Sequence, residues 1–271
     1  MRNLVIGAVL VGLIVLAALV SFLWTPFDPT LVDAALRLQG PSGAHWLGTD
    51  RFGRDLVSQL MVGARTTLYV GIVAVGVAAL VGTPLGVFAA AGPRWLGEIV
   101  LRANDIVLAF PALLLAIMFG AAFGASTLTA MIAIGIATVP SFARLARATA
   151  LQVLNTEYVL AARSAGRTGL AISVRHVLPN IAGLVIVQCS VSFGIAVLAE
   201  AALSYLGLGT QPPTPSWGRM LQESQELLAV QPRLLIVPGV AIAVAVLGFT
   251  LLGDGLRDRL DPRLEGRRAQ G

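Results

Sequence analysis

The segment Glu157–Asn180 reads EYVLAARSAGRTGLAISVRHVLPN and lies between two long apolar runs. Arg163, Arg167 and Arg175 make it too basic to sit in hydrocarbon, where each arginine is costly. A short helix over Tyr158–Ala165, rich in small residues, is expected to stop at Gly166, because glycine takes the left-handed conformation without steric cost. The basic stretch that follows runs to Leu178-Pro179. Ala161, Ala162, Ala165 and Gly166 leave a helix surface with little side-chain bulk. A helix resting on lipid headgroups needs large apolar residues along one face. Alanine dominates here, so a protein partner with a groove is the better match.

The rest of the chain is apolar. Of 271 residues, 56% are hydrophobic and 12% charged, and the mean hydropathy is +0.84. A soluble domain carries roughly 25% charged residues, so the bilayer is the natural solvent. All 19 basic residues are arginine. Without lysine the chain can encode neither a Walker A phosphate loop nor a Schiff-base nucleophile. The single cysteine, Cys189, lies in an apolar run and excludes an intramolecular disulfide. The basic pI does not call for nucleic acid, since loop arginines ordinarily fix membrane orientation.

Six spans are expected: Leu4–Trp24, Thr67–Ala91, Ile106–Phe123, Ser126–Phe142, Ile181–Leu203 and Leu234–Leu252. The first is longer than a signal-peptide core and ends in Phe22 and Trp24, side chains suited to an interface, so it reads as an uncleaved anchor. With the amino terminus in the cytoplasm, thirteen arginines fall on the cytoplasmic side (Arg2, Arg94, Arg102, Arg144, Arg147, Arg163, Arg167, Arg175, Arg257, Arg259, Arg263, Arg267, Arg268). Six fall opposite (Arg37, Arg51, Arg54, Arg65, Arg219, Arg233). That bias implies both termini inside and a cytoplasmic Glu157–Asn180 segment. The fold class is therefore all-α: a polytopic bundle of six spans, close-packed through glycines such as Gly71, Gly76, Gly82 and Gly86. Pro84, Pro111 and Pro238 fall inside spans and are candidate kinks.

Two further polar segments stand out, HWLGTDRFGRD at His45–Asp55 and EAALSYLGLGTQPPTPSWGRML at Glu200–Leu221. Gly48, Gly53, Asp50 and Asp55 suggest tight turns, with Arg51 and Arg54 as ion-pair partners. The three prolines in Gln211–Pro215 stiffen a lip or cap, and Trp217 is placed at the interface. Asp105, beside Arg102, suggests an ion pair at headgroup level. Glu200, towards the outer end of the fifth span, has two open readings: it lines a substrate path, or it accepts hydrogen bonds from a neighbouring helix. His45 and His176 fall on opposite sides of the membrane and cannot share a metal. No nucleophile–histidine–acid set is evident.

With these residues set out, a resemblance is clear. Ala161-Ala162, Gly166 and Leu178-Pro179 resemble the EAA loop of ABC-importer permeases, whose pattern is Glu-Ala-Ala, three residues, Gly, then a basic stretch ending in Leu-Pro. Leu160 stands where the motif has glutamate, and Glu157 is out of register. The other two segments resemble the second permease type of the dipeptide, oligopeptide and nickel importers. The likeness runs from about His45 to the end of the sixth span.

The resemblance implies a transmembrane half-pathway for peptides, or for nickel or other small solutes, in the bacterial inner membrane. It implies partners: a related permease subunit forming a heterodimer, two cytoplasmic ATPase subunits and an extracytoplasmic substrate-binding protein, with lipid around them and no nucleic acid. Glu157, Tyr158, Ala161, Ala162, Arg163, Gly166 and Pro179 would couple this chain to the ATPases. ATP and magnesium would sit on those partners, with no cofactor on this chain. The expected layout is an anchor span and extracytoplasmic segment (1–66), a transmembrane domain (67–253) and a cytoplasmic tail (254–271). The rival readings are a stand-alone secondary transporter or channel and a membrane enzyme. Secondary transporters often carry midplane charges and internal repeats; the spans here are nearly free of such charges, and no repeat is obvious.

Overall fold

A computed structural model describes residues 2–260. Ten α-helices account for most of them: α1 (Arg2–Leu23), α2 (Leu56–Ala91), α3 (Arg94–Ala109), α4 (Ala112–Phe123), α5 (Thr127–Leu154), α6 (Glu157–Ser164), α7 (Gly169–Ile172), α8 (Leu178–Tyr205), α9 (Trp217–Ser224) and α10 (Arg233–Leu260). Among the described residues the β-structure is one isolated bridge, Thr49 to Asp55.

Apolar residues encircle α1, which buries only Gly7, Ile14, Ala18 and Ser21. An all-round apolar helix with so little protein contact belongs in lipid. Its buried stripe lies against α10. The bundle is tightest where α2 meets α5. A Cβ on Gly86 would stand 2.2 Å from the Ala143 carbonyl oxygen, and one on Gly82 would stand 2.6 Å from that of Val139. Facing them, Ala143, Ala146 and Ala150 are fully buried or nearly so. Lipid tails are as apolar as leucine, so membrane helices gain by approaching closely, and small residues permit that.

Several expectations need correction. The third apolar run is not one straight span. It breaks at Phe110–Pro111, and α3 and α4 meet at 86°. Phe110 is extended (φ −93°, ψ 130°), as steric pressure from the following proline requires. Alone, α4 has 12 residues, short of the roughly 20 needed to cross hydrocarbon. Five helices are long and apolar enough to span, or six with the bent pair taken as one. The fourth run continues well past Phe142 to Leu154, passing Pro140 without interruption. Arg144 and Arg147 thus sit on a helix rather than in a loop.

The expected boundary at 66/67 falls inside α2, which begins at Leu56 under the N-cap of Asp55. Likewise Asp254–Leu260 extends α10; residues 261–271 of the expected tail, with Arg263, Arg267 and Arg268, lie outside the described residues.

Candidate functional site

Helix α6 is a single two-turn element set between the long helices α5 and α8. One side chain fastens it from beneath: Val159 is fully buried in a cluster with Val87, Ala146, Ala150, Leu154, Ile172, Val177 and Ile181. Tyr158 adds a second attachment. Its ring lies 5.9 Å from that of His176, and its hydroxyl accepts a hydrogen bond from Asn180 Nδ2 at 3.2 Å.

The helix ends as its sequence demands. Gly166 takes φ +80°. Its N–H bonds to the Arg163 carbonyl (2.9 Å), and the Arg167 N–H reaches back to that of Ala162 (3.1 Å). This is the Schellman arrangement, which satisfies carbonyls that a helix end leaves free. Nothing lies within 4 Å of where a Gly166 Cβ would point. Backbone conformation, not space, therefore selects glycine here.

Seen from outside, α6 presents Glu157, Leu160, Ala161, Arg163 and Ser164, all exposed, with Ala162 half-buried. Glu157 sits in the first turn and Arg163 in the last, where each charge complements the helix dipole. Neither makes an ion pair among the described residues. Leu160 stands 48% exposed, an apolar side chain at the centre of this face. After the helix, α7 leads into a π turn at Ser173–Val177, where the Leu178 N–H bonds to the Ser173 carbonyl. Pro179 lies in the first turn of α8, directly after the π turn, where the regular i to i−4 bonding is already interrupted. The π turn lets α7 and α8 continue as one apolar unit, Gly169–Tyr205. The expected coupling residues are thus gathered on α6 and its exit, with Pro179 set apart at the base of α8.

Glu200 is 1% exposed. It accepts hydrogen bonds from Ser204 Oγ (2.6 Å) and Thr210 Oγ1 (3.2 Å), and the Thr210 N–H donates to Ser204 Oγ (2.9 Å). Thr127 Oγ1 extends the chain to the start of α5 at 3.3 Å. The carboxylate thereby ties α8 to the loop that precedes α9.

The segment His45–Asp55 forms a compact knot. Asp55 caps α2, accepting from the Ser58 N–H (2.8 Å), while its other oxygen meets His45 Nδ1 at 3.0 Å. Asp50 accepts from the Phe52 and Arg54 N–H groups, from Arg54 Nε (2.6 Å) and from Gln59 Nε2 (3.1 Å). Arg54 also pairs with Glu223 of α9, which holds Arg219 at 2.8 Å as well. Arg233 clamps the knot to α10 by donating to the Leu47 carbonyl at 2.8 Å.

Of the two expected partners of the aspartates, Arg54 pairs and Arg51 does not; Arg51 stacks over Phe52 at 4.6 Å instead. Asp105 pairs with Arg144 at 2.7 Å, not with Arg102, because α5 extends far enough to bring Arg144 alongside. Trp217 is 3% exposed and donates to the Leu60 carbonyl at 3.0 Å. It is core, not interface, because Gly63 leaves room for its ring: a Cβ there would lie 2.6 Å from Trp217 Cδ1. Glu223 and Arg233 were missed altogether. Their contacts to the knot span 169 and 186 residues, beyond any local pattern, although Glu223 also pairs with Arg219 one turn away.

Residues 82–266 match the family described as binding-protein-dependent transport system inner membrane component. The chain belongs to that family. This inner membrane component is 42% identical over 261 residues to the dipeptide transport system permease protein DppC of Alkalihalophilus pseudofirmus, covering 96% of this chain and 86% of that one. It is 41% identical over 263 residues to the glutathione transport system permease protein GsiD of Pectobacterium atrosepticum, covering 95% and 87%. Its fold is similar to a chain of the MetNI methionine ABC transporter in inward-facing form, with a TM-score of 0.60 over 73% of this chain and 94% of that one at 17% identity. The family match takes in α6, Pro179 and Glu200; the His45–Asp55 knot lies ahead of it, within the stretch shared with the two permeases. A multi-pass helical permease component of the plasma membrane is what fold and family agree on.

Proposed function

We propose that this chain is a permease subunit of an ATP-driven importer, forming half of a path for peptides delivered by an extracytoplasmic binding protein. Two cytoplasmic ATPase subunits grip α6, and a related permease subunit supplies the other half of the path. The relatives' names, dipeptide and glutathione transport permeases, support a peptide-class cargo. The arginine asymmetry supports the cytoplasmic placement of α6.

The observation that carries the reading is the construction of α6. Its fastenings, Val159, Tyr158 and the Gly166 cap, all lie on the bundle side or at the helix end. Its outward face carries Leu160 and Ala161 at its middle, with charges at either end that make no ion pair among the described residues. Force applied to that face passes into α5 and α8 through short connections, since α5 ends at Leu154 and α6 begins at Glu157. ATP-driven closure of the ATPase pair would rock the bundle between inward-open and outward-open states. Lining this path is one proposed role for Glu200; its hydrogen bonds to Ser204 and Thr210 would meanwhile hold the loop that follows α8.

Affinity purification of the chain in mild detergent, with its neighbours co-expressed, tests the reading. Recovery of ATPase subunits together with a second permease supports it. Recovery of this chain alone, active in transport without ATP, would instead establish a stand-alone transporter.

A further inference from the structure

Beside α6 the bundle leaves an apolar groove of about 480 Å³, walled by Pro84, Val87, Phe88 and Ala91 of α2 on one side and by Leu170, Val174 and Leu178 on the other. Its rim carries large apolar side chains facing outward: Leu170 is 77% exposed, Val174 56% and Phe88 46%. Exposed apolar side chains on membrane-spanning helices ordinarily face hydrocarbon, and what sets this place apart is the concave slot between two of them.

Depth and charge indicate what docks. Pro84–Ala91 is the end of a membrane-spanning helix, so one end of the groove lies in hydrocarbon. The other end stops at Gly92, beside Trp95, which is 62% exposed and suits the membrane–water boundary. Three arginines stand within two residues of the lining: Arg94, Arg167 and Arg175. Arg94 has a loose contact with Glu98 at 3.7 Å, and Arg167 and Arg175 make no ion pair among the described residues. An apolar slot that opens at headgroup level among cations fits a lipid with an acyl chain and an anionic head.

We propose that this groove binds an anionic phospholipid, its acyl chain along α2 and its phosphate on Arg175 and Arg167. One wall is scaffold and the other is the segment leaving α6, so a bound lipid would brace the coupling helix against α2. The proposal rests on the reading that this end of α2 is cytoplasmic and that α6 meets the ATPases.

The intact complex is reconstituted into nanodiscs of phosphatidylcholine with a minority of phosphatidylglycerol, and retained lipid is counted by native mass spectrometry. The wild type should keep phosphatidylglycerol in preference to phosphatidylcholine. Val174→Trp, which fills the slot from an exposed position, should abolish that retention, whereas Leu198→Trp, on another face of the bundle, should not. Arg175→Gln should weaken the preference about fivefold, the factor equivalent to ~1 kcal/mol for one arginine near an anionic surface. Equal retention in wild type and Val174→Trp would overturn the proposal. So would loss of the lipid whenever ATPase subunits dock, since the occupant would then be protein. Failure of ATPase subunits to co-purify strikes the function reading instead, and the lipid count can still be made on this chain alone.

Discussion

Asn180 Nδ2 bonds to the Tyr158 hydroxyl at 3.2 Å and to the His176 carbonyl at 2.7 Å, so the first turn of α8 holds α6 by its tyrosine. The attachment crosses 22 residues of sequence and bypasses the loop between them. Tyr158→Ala should therefore reduce substrate-stimulated ATP hydrolysis in the reconstituted complex without lowering membrane insertion. Tyr158→Phe keeps the ring against His176 and should lose less. Equal activity in both variants and wild type would mean that the link carries no force.

At Gly166 the positive φ is the whole constraint. Any L-residue there pays about 1–2 kcal/mol for the left-handed conformation. Gly166→Ala should fray the last turn of α6, visible as faster hydrogen exchange at the amides of Gly166 and Arg167. Gly166→Pro, which cannot reach a positive φ at all, should abolish coupled hydrolysis while the chain still inserts. Full substrate-stimulated activity in Gly166→Pro would sink the handle reading.

Leu160 occupies the centre of the exposed face, where the EAA pattern has glutamate. Because the side chain is half in solvent, Leu160→Glu should change the stability of the chain by no more than about 0.5 kcal/mol. The expected effect lies in assembly: an added carboxylate facing a groove suited to leucine should weaken ATPase binding. Titration of the ATPase subunits onto the two variants in detergent measures this directly, and tighter binding by the glutamate would reverse the sign.

The knot around Asp50 makes a separate prediction about stability. Asp50 accepts four hydrogen bonds while 5% exposed, so Asp50→Ala strands Gln59 without its acceptor and leaves the buried Arg54 with Glu223 alone. Breaking a buried pair in this way costs roughly 3–5 kcal/mol, which should lower the midpoint of thermal unfolding in detergent by several degrees. A double-mutant cycle on Arg54 and Glu223 should give a coupling well above that of the exposed Arg94–Glu98 pair.

Hydropathy located every long helix, because the bilayer demands continuous apolar runs and the sequence records them directly. It could not locate the bend between α3 and α4, since an apolar run looks the same whether its axis is straight or turned through 86°. Pro111, one of the three candidate kinks, does mark it, by a signal that is stereochemical rather than hydrophobic. Trp217 misled for a related reason: an amphipathic ring suits an interface or a core pocket with one acceptor, and only Gly63 and the Leu60 carbonyl decide between them. The α6 helix and its glycine cap were legible because helix, cap and exit are local in sequence. Glu223 joins an arginine of the knot to one of α9, and the contact that gives it this role, to Arg54, crosses 169 residues of chain.

The length of α2 ties these observations together. At 36 residues and 1.5 Å per residue it is a rod about 54 Å long. Its first turn is locked into the knot by Asp55, and its last turns form one wall of the groove beside the coupling helix. The two ends thus belong to one continuous helix, which runs past Pro84 without a break. Linkage then imposes a symmetry: if any partner that binds at the knot changes the affinity at the groove by some factor, occupancy of the groove must change that partner's affinity by the same factor.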